Sequence, residues 1–142
     1  ACDVFGKERV GVRISPLNSF NSMKDSDPIA VATYVAQQLD KMQIGYLHLM
    51  RADFFGAQKG DLLTPVRKAF RSVLVANMGY TPDEAMSAVA SGAVDAIAFG
   101  TSFLANPDLP RRIREKAPLQ QADPKSFYTP GAKGYTDYAT LG

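Results

Sequence analysis

Apolar residues in this chain gather in four short runs: Arg9 to Ser15 (RVGVRIS), Ile44 to Met50 (IGYLHLM), Val73 to Asn77 (VLVAN) and Val94 to Gly100 (VDAIAFG). Each has the length of a buried strand, and three are followed by helix-start signals. After the first run, Asp27 and Pro28 are suited to N-cap and N1, and Val31, Val35, Leu39 and Met42 predict an apolar helix face. After the third, Thr81-Pro82-Asp83-Glu84 forms a capping box, and the helix it opens carries Ala85, Ala88 and Val89 and stops at Gly92. After the fourth, two prolines in Asn106 to Pro110 predict a turn, then a short helix from Arg111 to Lys116. A loop from Arg51 to Asp61, carrying Phe54, Phe55 and Gly56, and a short helix from Thr64 to Phe70 join the second and third runs. The tail, residues 117 to 142, is rich in Pro, Gly, Tyr and Asp and reads as irregular. Strand alternating with helix predicts an α/β fold with a parallel sheet and right-handed crossovers.

In the first strand Val10, Val12 and Ile14 take one face, and Gly11, Arg13 and Ser15 the other. A cation in a strand of this kind needs a partner or an edge. The carboxyl ends of parallel strands, where ligands bind in open sheets and in barrels, supply one.

Composition narrows the field. The chain has 142 residues and a net charge of +2, and 46% of its residues are hydrophobic, so one core can form and neither nucleic acid nor a membrane surface is indicated as partner. No apolar run reaches membrane-span length, and no cluster suggests a metal. The single cysteine, Cys2, excludes an internal disulfide and fits a reducing compartment, the cytoplasm. The chain opens on Ala1, and Val4-Phe5-Gly6 reads as the end of a helix with a glycine cap, so a fragment or a processed chain is expected. No Gly-x-Gly-x-x-Gly follows the first strand, which argues against a dinucleotide-binding Rossmann unit.

Four segments carry a family resemblance. Val10-Gly11-Val12-Arg13-Ile14-Ser15-Pro16 resembles the fifth barrel strand of the old yellow enzymes, and Tyr46-Leu47-His48-Leu49 resembles the sixth. Val75 to Thr81 (VANMGYT) resembles the seventh strand and its loop, and Ala98 to Leu109 (AFGTSFLANPDL) the eighth. The tail motifs Ser126-Phe127-Tyr128 and Gly134-Tyr135-Thr136-Asp137-Tyr138 are similar to the end of bacterial ene-reductases in that family. The resemblance implies a (β/α)8 TIM barrel, of which residues 1 to 142 supply the C-terminal half, strands five to eight, within one flavin-binding domain.

The same resemblance implies FMN as cofactor, NADPH or NADH as hydride donor, and an enone or similar electron-poor alkene as substrate. It matches Arg13 to the arginine beside flavin N1 and O2. It assigns the phosphate to Asn77, Met78 and Gly79 after strand seven, and to Gly100 and Thr101 after strand eight. Two departures stand out. Many relatives carry an arginine where this chain has Thr101, and small residues where it has Met78. Tyr128 matches an aromatic of the substrate pocket, and Phe54 and Phe55 are candidates for a lid or a packed loop. His48, the only histidine, matches a strand-six position and reads as packed and structural. The substrate-binding pair and the tyrosine proton donor would lie in the N-terminal half, so no catalytic residue is assigned here. The expected partner is that half, or a second copy of this chain. The alternative is a phosphate-binding half-barrel that associates without catalysis.

Overall fold

The computed structural model describes residues 1–142, which form two compact units, Ala1–Ala98 and Phe99–Gly142. In the first unit four parallel strands, β1 (Gly11–Ile14), β2 (Tyr46–Met50), β3 (Val73–Asn77) and β4 (Ala96–Ile97), lie side by side in chain order. Helices α1 (Cys2–Phe5), α2 (Pro28–Met42), α3 (Leu63–Ala69) and α4 (Pro82–Ala90) complete this unit. Sequential parallel order with helical crossovers is the arrangement of consecutive β/α units.

Local signals set the helix starts. Asp27 accepts a hydrogen bond from the Ala30 amide at 2.9 Å, with Pro28 following it, and Thr81 accepts from the Glu84 amide at 3.2 Å. The reciprocal half of the expected capping box is replaced: Glu84 pairs instead with Arg51. Gly6 closes α1 at φ 84° and donates its amide to Cys2 O, so the glycine stop expected there is present. Gly92, at φ 73°, lies just beyond Ser91, which caps α4.

Two other expectations shift. Regular pairing in the first, second and fourth runs is shorter than the apolar runs, and β4 keeps only two residues. Val10 therefore precedes β1. The buried face of α2 is Ala32 and Ala36, with Val31 and Met42 exposed. Alanine lets the helix axis approach its neighbours closely, so the small residues, not the larger valines, take the innermost positions. Val89 of α4 is likewise exposed. Helix α3 begins one residue early, at Leu63.

The core lies on one side of the sheet. Leu47, Leu49, Leu74 and Ala76 point into it, against Leu17, Ala32, Ala36, Leu62, Val66 and Phe70. Period-two alternation sends Gly11, Arg13, Tyr46, His48, Val73 and Val75 to the opposite side. Within this unit no helix covers that side, where Tyr46 and Val73 are nearly half exposed. No helix of the chain is long and apolar enough to cross a membrane.

The second unit holds α5 (Thr101–Ala105) and α6 (Leu109–Glu115), then a tail whose only helical turn is Pro124–Ser126. Helix α5 has no counterpart in the sequence reading, and α6 starts two residues earlier than expected, with Pro110 in its first turn. Fully buried Asn106 donates to Ser102 O and Gln120 O and accepts from the Gln120 amide. Arg112, 5% exposed, donates to Asp108, Pro118 O and Ala139 O, and Asp108 accepts from the Leu141 amide. Each of these buried groups is satisfied, as buried polar groups must be, and together they bind the irregular tail to α6.

Candidate active site

Arg13 comes from β1, the one cation in a strand otherwise made of Gly, Val and Ile. Alternation carries it to the uncovered side, where it is exposed and pairs with no carboxylate. Its one side-chain hydrogen bond is a weak one, Nη2 to Met50 Sδ at 3.9 Å. The register sets His48 of β2 beside it. His48 Nε2 lies within hydrogen-bond distance, 3.2 Å, of Asn77 Oδ1 at the carboxyl end of β3. Burial lowers the imidazole pKa, the nearby Arg13 charge lowers it further, and the Asn77 hydrogen bond opposes both. A neutral imidazole next to a fixed cation is the result.

Arg13, His48 and Asn77 thus form a polar row across three adjacent strands on the uncovered side. Val75 is the register partner of His48 on β3 and Asn77 lies two residues beyond it, so the backbones of Arg13 and Asn77 are roughly 12 Å apart. His48 is half-buried on the uncovered side, while Leu47 and Leu49, its neighbours in the chain, occupy the helix-covered core.

The loop after β3 is left-handed at two successive residues, Met78 at φ 89° and Gly79 at φ 69°. Glycine adopts this conformation freely and methionine does not. Arg51, at the end of β2, organises the turn: Nε donates to Met78 O at 2.8 Å and Nη2 to Gly79 O at 3.1 Å. The same guanidinium binds both carboxylate oxygens of Glu84, at 2.5 and 3.0 Å, and lies 3.5 Å over the Tyr80 ring. The amides of Met78, Gly79 and Tyr80 donate to no group of the protein. Sequence reasoning missed Arg51, because its partners lie 27 to 33 residues away. The only local hint was a cation directly after an apolar strand.

Asp53 is the second residue the sequence reading missed. Only 6% exposed, it accepts from the Ser19 amide and hydroxyl and from the amides of Phe55, Ala57 and Gln58. Burial pushes its carboxyl up, but the hydrogen bonds, led by those from the Ser19 and Gln58 amides, outweigh burial and hold it far below the usual carboxylate range. It thereby joins the loops after β1 and β2 and sets Phe20 parallel to Phe55, with centroids 6.3 Å apart. Phe54 meets Phe55 edge-on, and all three rings are more than half exposed.

In the second unit Gly100 and Thr101 open α5, both exposed, and a Cβ added at Gly100 would meet nothing within 4 Å. Tyr128 is 98% exposed. No group of His, Cys, Asp and Glu is arranged to hold a metal.

Parallel β/α units with a polar row at the carboxyl ends define part of a β/α barrel. The chain belongs to the NADH:flavin oxidoreductase / NADH oxidase family, whose model matches residues 2–120. A probable flavin mononucleotide-dependent alkene reductase of Leishmania infantum is 49% identical over 133 residues, covering 94% of this chain and 36% of that protein. The rice protein 12-oxophytodienoate reductase 1 is 43% identical over 142 residues, covering 96% of this chain and 37% of its own. The old yellow enzyme of Trypanosoma cruzi superposes with a TM-score of 0.96 at 40% identity, over 99% of this chain and 37% of that one. Morphinone reductase does so at 0.91 and 37%, over 99% and 38%. The old yellow enzyme resemblance and the (β/α)8 fold class are therefore established, and the chain spans little more than a third of these relatives.

Proposed function

We propose that this chain is the C-terminal half of an FMN-dependent ene-reductase that uses NADPH or NADH. The observation that carries the reading is the exposed Arg13 guanidinium, without a carboxylate partner, beside His48, which in turn bonds Asn77, on the uncovered side of a parallel sheet. The fit to FMN rests on chemistry present in the chain: a free cation near one end of the row, and loop amides without acceptors at the other. An anionic ligand long enough to reach both satisfies them.

When bound, FMN supplies hydride relay between the nicotinamide and the electron-poor C=C bond of an enone. The chain's own residues bind and orient. On the family resemblance, Arg13 would place its positive charge beside flavin N1 and O2, where a guanidinium would stabilise added negative charge. Neutral His48 fixes the Asn77 side chain without adding a second cation. Met78, Gly79 and Tyr80 offer amides to the phosphate, with the start of α4 behind them. Gly100 and Thr101 are assigned to the same phosphate on the family resemblance, Thr101 as an uncharged donor. Tyr128 is assigned to the substrate pocket on the same ground.

The uncovered side, with Tyr46 and Val73 half exposed, fits contact with the missing four strands, which close the barrel and hide its edges. The N-terminal half is thus the partner, and the chain alone is inactive. The lone cysteine fits a reducing, cytoplasmic setting.

The test is to purify this chain with and without the first four strands of the barrel. The joined protein is expected to be yellow, to release FMN on denaturation, and to oxidise NADPH when an enone is added. The isolated chain should be colourless and self-associated by light scattering. A joined protein that takes up no FMN sinks the proposal, and one that binds FMN without reducing enones supports the non-catalytic alternative.

A further inference from the structure

We infer that Arg51 is the positioning residue of the phosphate loop: it orients the amides of Gly79 and Tyr80 without touching the phosphate itself. The inference rests on the phosphate assignment above. A trans peptide unit is planar, with its C=O and N–H pointing in opposite directions. The Met78 carbonyl accepts from Arg51 Nε, so the amide of Gly79, in the same peptide plane, is turned away from the guanidinium. The Gly79 carbonyl accepts from Arg51 Nη2, so the amide of Tyr80 is turned away as well. One side chain therefore fixes two successive planes and leaves two donors on the far side of the loop.

Arg51 is poorly placed to act as a phosphate ligand. Glu84 takes its Nη1 and Nη2 in a bidentate pair, and the face of the Tyr80 ring covers the guanidinium. Its charge is already neutralised and its fork is already filled. Lysine cannot substitute, because a point ammonium cannot reach two carbonyls and both carboxylate oxygens in one geometry. The arrangement also accounts for Met78, a non-glycine residue at φ 89°. Hydrogen bonds to the carbonyls on either side of Gly79 hold the turn in a conformation that methionine alone does not favour.

The test compares FMN with riboflavin, which lacks the phosphate, in the apo form of the joined barrel. Fluorescence titrations are run on the parent, Arg51→Met and Arg51→Lys. The expected result is a preference for FMN in the parent, lost by about tenfold in both variants, with riboflavin affinity unchanged. If Arg51→Met does not fold, Arg51→Lys carries the comparison. A full FMN preference in Arg51→Lys overturns the inference, since charge alone would then suffice. An equal loss for both flavins also overturns it, because Arg51 would then serve general folding. If both variants keep the parent's preference, the inference fails and the phosphate assignment stands. If the parent itself does not prefer FMN, the phosphate assignment fails and the inference falls with it.

Discussion

Tyr46 lies against Gly11, its register partner on the neighbouring strand, so closely that a Cβ at position 11 would be 2.1 Å from the ring Cζ. Glycine in a strand weakens it, so its presence here has a steric cause. Gly11→Ala is expected to push the half-exposed ring aside and destabilise the protein by up to about 1 kcal/mol, the low end of overpacking costs. In the Tyr46→Ala background the same substitution should cost almost nothing. Denaturant melts of the two single variants and the double variant measure the coupling, and additive effects would refute the contact.

Asp53 should make stability acid-sensitive. Its folded pKa is depressed, so its contribution is complete above the unfolded value of about 3.9 and is lost as pH falls toward the folded one. Asp53→Asn replaces an acceptor of five groups with an amide that is half donor. The variant is expected to be less stable than the parent at pH 7, with the gap narrowing below about pH 4. Thermal melts across that range decide it. A gap independent of pH would mean that the charge of Asp53 contributes nothing.

His48 should stay neutral to lower pH than an ordinary histidine. Burial and Arg13 both lower its pKa, so the folded state binds fewer protons than the unfolded one below about pH 6.5, and stability declines as pH falls through that value. Arg13→Met is expected to raise the His48 midpoint. The chain has a single histidine, so an NMR titration with only this segment labelled reads it directly. An unchanged midpoint in Arg13→Met would separate the two residues.

Arg13→Met in the joined barrel should also lower the reduction potential of bound FMN and slow its reduction, since the cation favours the anionic reduced form. Spectroelectrochemical titration against the parent tests this. An identical potential would remove Arg13 from the flavin.

Thr101→Arg is expected to tighten FMN binding by about tenfold, because an arginine–phosphate pair is charge-assisted and can be bidentate. Titration of the apo form with FMN measures the change. Equal or weaker affinity would show that the residue does not face the phosphate.

Much of the scaffold was legible in the sequence because it depends on near neighbours. The four apolar runs gave strands in the right order, and Asp27 and Thr81 start their helices through side-chain bonds that span three residues. Alternation in β1 separated Arg13 from Val12 and Ile14 without any tertiary information. The face of α2 was less legible: Val31 and Val35 announced a stripe by their hydrophobicity, while Ala32 and Ala36 won the buried positions by being small.

By itself, then, the sequence determined the parallel β/α order, the family and the strand face that carries Arg13. These follow from periodicity, capping and motif. Only the tertiary structure decided that His48 meets Asn77, that Asp53 gathers the Ser19 loop, and that Arg51 orients the Met78–Gly79 turn. Those pairs are 27 to 34 residues apart. Which of them meet is set by the register of strands stacked in parallel, and no local pattern records it.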